Sequence, residues 1–308
     1  MASFHPNAQG AESITWTIER ARAAGRAGLD LLSIGDHHST GPIPYVQNTP
    51  IMGRLLADWD DRPAGCLFLV PSWNAVLMAE QIATLACIAD GPFVVQTGLG
   101  SRGQLDAMGI ATPHQGRRLE ATVVAVQGLL AGQTVDDDEL GLSGARIAPL
   151  PPRAVEWWIG AHSPPALDRA ARLGDGWYAD AGLDQELART EMAGYLEACD
   201  RHGRDPGRMA LRKDVFISED GPHAERVGQR LIDAGYRGGM PRGAVAFGTP
   251  EQVAEQLAPF AALGFTDIVI RTMNSIDQPD AVRSVELSGE VRSCLLYTSD
   301  AADDTSEV

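Results

Sequence analysis

Residues 23–38 read AAGRAGLDLLSIGDHH. An alanine-rich helical segment closes on a glycine, a short apolar run follows, and the run gives way at once to an acid and two histidines. A helix feeding a buried strand that stops on polar residues is one α-to-β junction of a repeating α/β fold. Six further runs share the form of 29–35: 65–70 (GCLFLV), 92–98 (PFVVQTG), 155–160 (VEWWIG), 176–179 (GWYA), 209–217 (MALRKDVFI) and 266–271 (TDIVIR). Each is short, rich in β-branched or aromatic residues, and bounded by Gly, Pro or Asp. Strands of a parallel sheet covered on both faces read this way.

Helical spacing fills the intervals. Leu119, Val123, Val126 and Leu130 fall on one stripe, as do Ala79, Ile82, Ala83 and Ala86. Thr249-Pro250-Glu251-Gln252 is a capping box with proline at the first helical position. Pro259 is expected to kink or end the helix that starts there. Seven strands alternating with helices predict a single α/β domain, an eight-stranded (β/α) barrel of the TIM type, over residues 1–293. The remaining strand is expected at 1–6 (MASFHP), a weak pattern; a short irregular strand or a start further upstream would both account for it. No G-x-G-x-x-G follows the first strand, which disfavours a doubly wound dinucleotide-binding sheet. The stretch 136–152, with its acids, glycines and prolines, reads as an insertion loop.

The 308 residues carry a formal charge of −16 with a single lysine, Lys213. So acidic a chain lacks the basic face that binding to nucleic-acid phosphates requires. No apolar run approaches a membrane span. Four scattered cysteines, Cys66, Cys87, Cys199 and Cys294, show no metal-type spacing and imply a reducing, cytoplasmic setting. The last fifteen residues, CLLYTSDAADDTSEV, differ in character from the rest. The stretch 294–304 looks like a translated sequencing adapter, and 294–308 is expected to be a non-native or disordered tail.

Barrel enzymes gather their chemistry at the C-terminal ends of the strands. The residues at those ends are Asp36-His37-His38, Pro71-Ser72-Trp73-Asn74, Gly98-Leu99-Gly100-Ser101, Gly160-Ala161-His162-Ser163 and Asp180, with Arg212, Lys213, Asp214 and Arg271 inside the last two runs. A histidine beside a carboxylate suits proton transfer near neutral pH. One of two adjacent strand residues must point away from the mouth, so His37 and His38 are not both expected there. The glycine turns, and Ser163 followed by two prolines at a helix start, suit an anion such as a phosphate. Arg117 and Arg118 are further candidates for an anionic cofactor.

The chain resembles the bacterial luciferase-like superfamily of flavin- and deazaflavin-dependent oxidoreductases. The likeness rests on AAGRAGLDLLSIGDHH, on LFLVPSWNAVLMAEQIATL (67–85), on WWIGAHSPPALDRAARLGDGWYAD (157–180) and on FGTPEQVAEQLAPFAALGFTDIVI (247–270). It runs from about residue 12 to about residue 291. The resemblance implies reduced FMN or coenzyme F420 as cofactor, a small organic substrate, and for the FMN option a separate flavin reductase; the family commonly forms homodimers. It implies His37 as the catalytic histidine with Asp36 orienting it, and His38 lining the cofactor pocket. It implies a non-prolyl cis peptide at Cys66, Leu67 and Phe68 beneath the ring, Gly98, Gly100 and Ser101 along the ring's polar edge, and Gly160, Ala161, His162 and Ser163 near the phosphate. The family's deazaflavin sugar-phosphate oxidoreductases carry a glutamate where this chain has Ser101, and a threonine and a lysine where it has Asp180 and Leu183. These departures weigh against sugar-phosphate oxidation. Two other readings stay open: a metal-dependent barrel hydrolase using His37 or His38 with His162, and a flavin-binding relative without turnover.

Overall fold

The structure, a computed structural model, describes residues 8–110 and 113–303, with side chains as far as residue 296. Helix α1 (Ala11–Arg26) leads into β1 (Leu32–Ile34), α2 (Asn48–Leu56) and β2 (Ala64–Leu69). Then come α3 (Ala75–Ile88), β3 (Phe93–Gly98), α4 (Arg102–Ala107) and α5 (Gln115–Leu130). A hairpin of β4 (Val135–Asp137) and β5 (Leu142–Ala145) precedes β6 (Glu156–Ala161), α6 (Pro164–Leu173), β7 (Gly176–Ala179) and α7 (Gln185–His202). The chain closes with β8 (Arg208–Ile217), α8 (Gly221–Asp233), β9 (Val245–Gly248), α9 (Pro250–Ala262), β10 (Asp267–Thr272) and α10 (Gln278–Asp303).

The main sheet curls in the order β1-β2-β3-β6-β7-β8-β10, every pair parallel, with β9 on the second half of the long β8. This is the expected barrel wall, and all seven strand runs read from the sequence lie in it. The expected strand at 1–6 lies outside the described residues. β1 and β10 stand at the two ends of the order, and a groove of about 440 Å³ lies between them, lined by Leu29, Leu31, Leu257, Ile268 and Leu295 among others.

Strand alternation sorts the side chains into two layers. Leu32, Ile34, Cys66, Phe68, Phe93, Val95, Trp157, Ile159, Trp177 and Leu211 pack outward against the helices. Leu67, Leu69, Val94, Trp158, Tyr178, Ala210 and Val269 line the lumen. Each buried aliphatic or phenyl side chain contributes roughly 1.5–3 kcal/mol by leaving water. The outer layer is the larger and does most to hold the barrel together.

Local chemistry fixes the element ends. Asn74 caps α3 by accepting from the Val76 and Leu77 amides, and Thr249 and Gln252 form the expected reciprocal capping box of α9. Pro259 does not end α9, which continues to Ala262. Two further expectations are corrected. The stretch read as an insertion loop contains the β4–β5 hairpin, where Asp136 and Asp137 accept from the Gly144 and Leu140 amides. For the tail expected to be non-native or disordered from residue 294, the disordered alternative is corrected as far as Asp303, where α10 ends, and Cys294 and Leu295 pack on a core of Val215, Ile217, Leu257, Leu287 and Val291.

Candidate active site

β1 and the residues beyond it alternate like the other strands. Leu31 and Ser33 face the lumen, where the Ser33 hydroxyl donates to Gln96 Oε1 at 2.6 Å. His37 has the same parity and stands at the mouth. Its Nδ1 lies 2.8 Å from Gln104 Nε2, and its ring meets Tyr45 edge-on at 4.8 Å. A primary amide donates through one end and accepts through the other, so Gln104 can hold either neutral tautomer of His37. Ser101 stands behind this contact: its hydroxyl caps α4 by accepting from the Gln104 amide at 3.3 Å. Burial lowers the His37 pKa below the ordinary imidazole value; the Gln104 bond and Asp36 oppose the fall, and the charges of Arg237 and Arg271 add to it. His37 is therefore neutral at pH 7.

Asp36 does not orient His37. It has the opposite parity and is fully buried: Oδ2 accepts from the Leu69 amide at 2.8 Å and from Trp73 Nε1 at 2.9 Å, and Oδ1 pairs with His38 Nε2 at 3.1 Å. The carboxylate thus ties β1 to the end of β2 and holds the second histidine instead of the first. Asp36 raises the pKa of His38, against the opposing effect of burial. A raised histidine pKa contributes stability that is fully present below about pH 6.5 and is lost as pH rises through the folded-state value. Replacing His38 with glutamine therefore destabilises the protein more at pH 5.5 than at pH 8.5. Thermal unfolding of both proteins across that range checks this, and a constant difference would refute it.

The backbone beneath the proposed ring is also corrected. Residues 64–69 pair in unbroken register with β3, and 64–66 also pair with β1, so β2 is regular. Among the described residues the cis peptide bonds are Gly41–Pro42 and Ala148–Pro149, and none falls at 66–68. Only Leu67 faces the lumen; Cys66 and Phe68 point into the helix layer. Burial pushes the Cys66 thiol well up, which leaves it unreactive.

Each turn glycine has a local reason. Gly100 adopts φ +75°, and a Cβ on Gly160 would sit 2.1 Å from the Thr97 carbonyl oxygen. Gly98 ends β3 with Leu69 Cδ2 3.2 Å from where its Cβ would be. Gly160→Ala should cost about 1–3 kcal/mol, since backbone must move to admit the methyl group. Urea unfolding measures this, and an unchanged midpoint would contradict it.

The phosphate cradle expected near Ser163 is weaker than its sequence suggests. Pro164 and Pro165 have no N–H to offer, and the Ala166 and Leu167 amides both donate to Ser163 O at 2.8 Å. Ala161 packs outward, and its carbonyl accepts from Trp177 Nε1 at 3.1 Å. His162 is exposed, with Nδ1 2.6 Å from Glu191 Oε1. Arg117 is committed to Glu139 at 2.9 Å, whereas Arg118 Nε is buried without a hydrogen-bond partner.

The opposite wall carries polar groups that strand alternation alone could have flagged. Arg212 and Asp214 follow Ala210 on the lumen face of β8, and Arg271 stands beside Asp214 in register on β10. Asp214 Oδ2 accepts from Arg271 at 2.6 Å, from Tyr236 Oη at 2.9 Å and from Arg237 at 3.2 Å. Burial would raise this carboxyl, but Arg271, Arg212 and Arg237 bring it down to about 2. Three guanidinium groups thus surround one carboxylate. Lys213, of opposite parity, points outward over the Phe260 ring at 3.9 Å.

His38 and His162 each have their own acid, and among the described residues no three His, Cys, Asp or Glu side chains converge as metal ligands do. The hydrolase reading therefore lacks its ligand set there. A family model described as luciferase-like monooxygenase matches residues 1–235. The chain belongs to that family. Over 283 residues, 80% of the chain and 84% of the relative, it is 24% identical to the F420-dependent glucose-6-phosphate dehydrogenase of Beutenbergia cavernae. It is 27% identical to the 5,10-methylenetetrahydromethanopterin reductase of Methanolobus tindarius, over 59% of this chain and 54% of that one. In fold this luciferase-like chain is similar to an F420-dependent secondary alcohol dehydrogenase, with TM-score 0.79 and 16% identity over 92% and 95% of the two chains.

Proposed function

We propose that the chain is a flavin- or deazaflavin-dependent oxidoreductase of a small organic substrate, with His37 as its proton-transferring residue. The observation that carries this reading is the luciferase-like family match over a barrel that sets a neutral histidine in its mouth. The lumen suits a planar ring with a polar edge: Gln96 Nε2, Tyr178 Oη and Arg212 Nε are buried without hydrogen-bond partners around it, and Gly98 and Gly160 add no side chain. Gln96 and Tyr178 would meet the polar edge, Leu67 and Leu69 the flat face, and Arg118 or Ser163 the phosphate. When bound, reduced FMN supports oxygenation, whereas coenzyme F420 is restricted to hydride transfer.

The protein's own part is orientation, exclusion of water and proton movement. With Gln104 Nε2 donating to Nδ1, the orientation in the structure, His37 Nε2–H donates to a developing oxyanion. With the amide turned over so that its oxygen accepts from Nδ1–H, Nε2 is free to take a proton from a substrate hydroxyl. No helix among the described residues is long and apolar enough to cross a membrane, and the proposed setting is the cytoplasm. Two assays on one preparation test the reading: oxygen uptake with reduced FMN, and anaerobic reduction of coenzyme F420 by small alcohols. Substrate-dependent turnover in one of them is expected, and silence in both would overturn it.

A further inference from the structure

We propose that the arginine wall of the barrel mouth seats an anionic group of the substrate, a carboxylate or a phosphate, between Arg212 and Arg237. The proposal rests on the oxidoreductase reading and names the substrate class that the same site takes.

Charge provides the first argument. Asp214 neutralises one of the three cations around it, and its Oδ2 already accepts from Tyr236, Arg237 and Arg271. The excess is local, because the whole chain carries −16. An unused donor provides the second. Arg212 Nε is buried without a hydrogen-bond partner, 3.9 Å from the other Asp214 oxygen. A buried donor left unpaired is costly, and an oxyanion satisfies it.

The backbone provides the third. Arg237 is held at φ 49°, ψ 40°, in a turn whose Gly235, Gly238 and Gly239 also have positive φ. An arginine in the left-handed region is disfavoured where a glycine would be at ease, and such outliers gather at binding sites. The turn delivers the guanidinium to the rim, with its side chain 26% exposed against 9% for Arg271. Arg271 makes the shortest of the bonds to Asp214, at 2.6 Å, whereas Arg237 donates to the same oxygen from the most exposed position of the three. The charges of Arg237 and Arg271 both lower the His37 pKa, so the arginine wall lies within electrostatic reach of the histidine. A substrate held there by its anion presents its other end to His37.

Calorimetric titration of the cofactor-free protein with malonate and with inorganic phosphate tests this, at an ionic strength fixed with chloride. Saturable binding of either anion is expected, weakened at least tenfold in Arg237→Gln and in Arg212→Gln and largely restored in Arg237→Lys, all confirmed folded by circular dichroism. Malonate alone would identify a carboxylate, and phosphate alone a phosphate. No binding by the folded wild type, or wild-type affinity retained in both glutamine variants, would overturn the proposal. FMN and coenzyme F420 titrated against the same variants separate substrate from cofactor. Unchanged affinity keeps the seat for substrate, and a tenfold loss would reassign it to the cofactor. A wild type that binds malonate or phosphate but neither cofactor would defeat the oxidoreductase reading and leave the anion seat standing.

Discussion

Asp214→Ala should lower the stability of the protein by about 3–5 kcal/mol, the usual cost of removing one partner from a buried ion pair. The carboxylate has no solvent exposure and accepts from Arg271, Arg237 and Tyr236. Without it, buried guanidinium groups face one another across β8 and β10. Like charges about 4 Å apart repel by about 4 kcal/mol at the effective dielectric of protein sites. The effect depends on pH. The carboxyl is lowered from 3.8 to about 2, so its contribution is complete above the unfolded value and fades as pH falls toward 2. The shift corresponds to about 2 kcal/mol. Urea unfolding of wild type and variant should show a wide gap at pH 7 that narrows below about pH 4. A gap below 1 kcal/mol at pH 7 would mean that the arginines do not depend on Asp214.

His37→Ala should reduce kcat by roughly 10²–10⁴, the range typical of losing a positioned acid or base. Its ring is fixed by Gln104 and Tyr45, contacts that shape the mouth but belong to no core layer. The fold should survive, and cofactor affinity should change by less than about threefold, a difference of well under 1 kcal/mol. Because burial lowers the pKa of His37, the limb of the rate profile governed by its protonation lies below the ordinary imidazole value of 6.5. Activity that needs the neutral ring is lost as pH falls through that limb. Gln104→Leu should preserve stability while moving the limb, a response expected of a positioning residue. A His37→Ala enzyme within tenfold of wild-type turnover would remove the histidine from the mechanism.

The barrel wall is legible in the sequence because its strands are short apolar runs closed by Gly, Pro or Asp. The run at 209–217 matches β8 almost to the residue, and Thr249 announces the start of α9. What stays hidden depends on which face a side chain takes. Asp36 and His37 are neighbours in sequence, yet pleating sends one toward Trp73 and the other toward Gln104. Glu191 meets His162 from the next helix but one, a contact that no local pattern encodes. The alternation Ala210, Arg212, Asp214 is visible in the sequence, and it marks the polar wall better than the glycine turns do. β9 escapes a reading by apolar runs: VAFG leads straight into the Thr249 capping box and pairs with the end of β8, off the main order of the sheet.

The central claim is that this luciferase-like barrel binds a flavin-type ring in the mouth beside His37. Its most direct test is an equilibrium titration of FMN and of coenzyme F420 with the purified protein, following cofactor fluorescence. Saturable one-to-one binding of at least one cofactor is predicted, and its affinity should fall when Tyr178→Phe and Gln96→Leu remove the polar contacts to the ring. A folded protein that leaves the fluorescence of both cofactors unchanged would contradict the account.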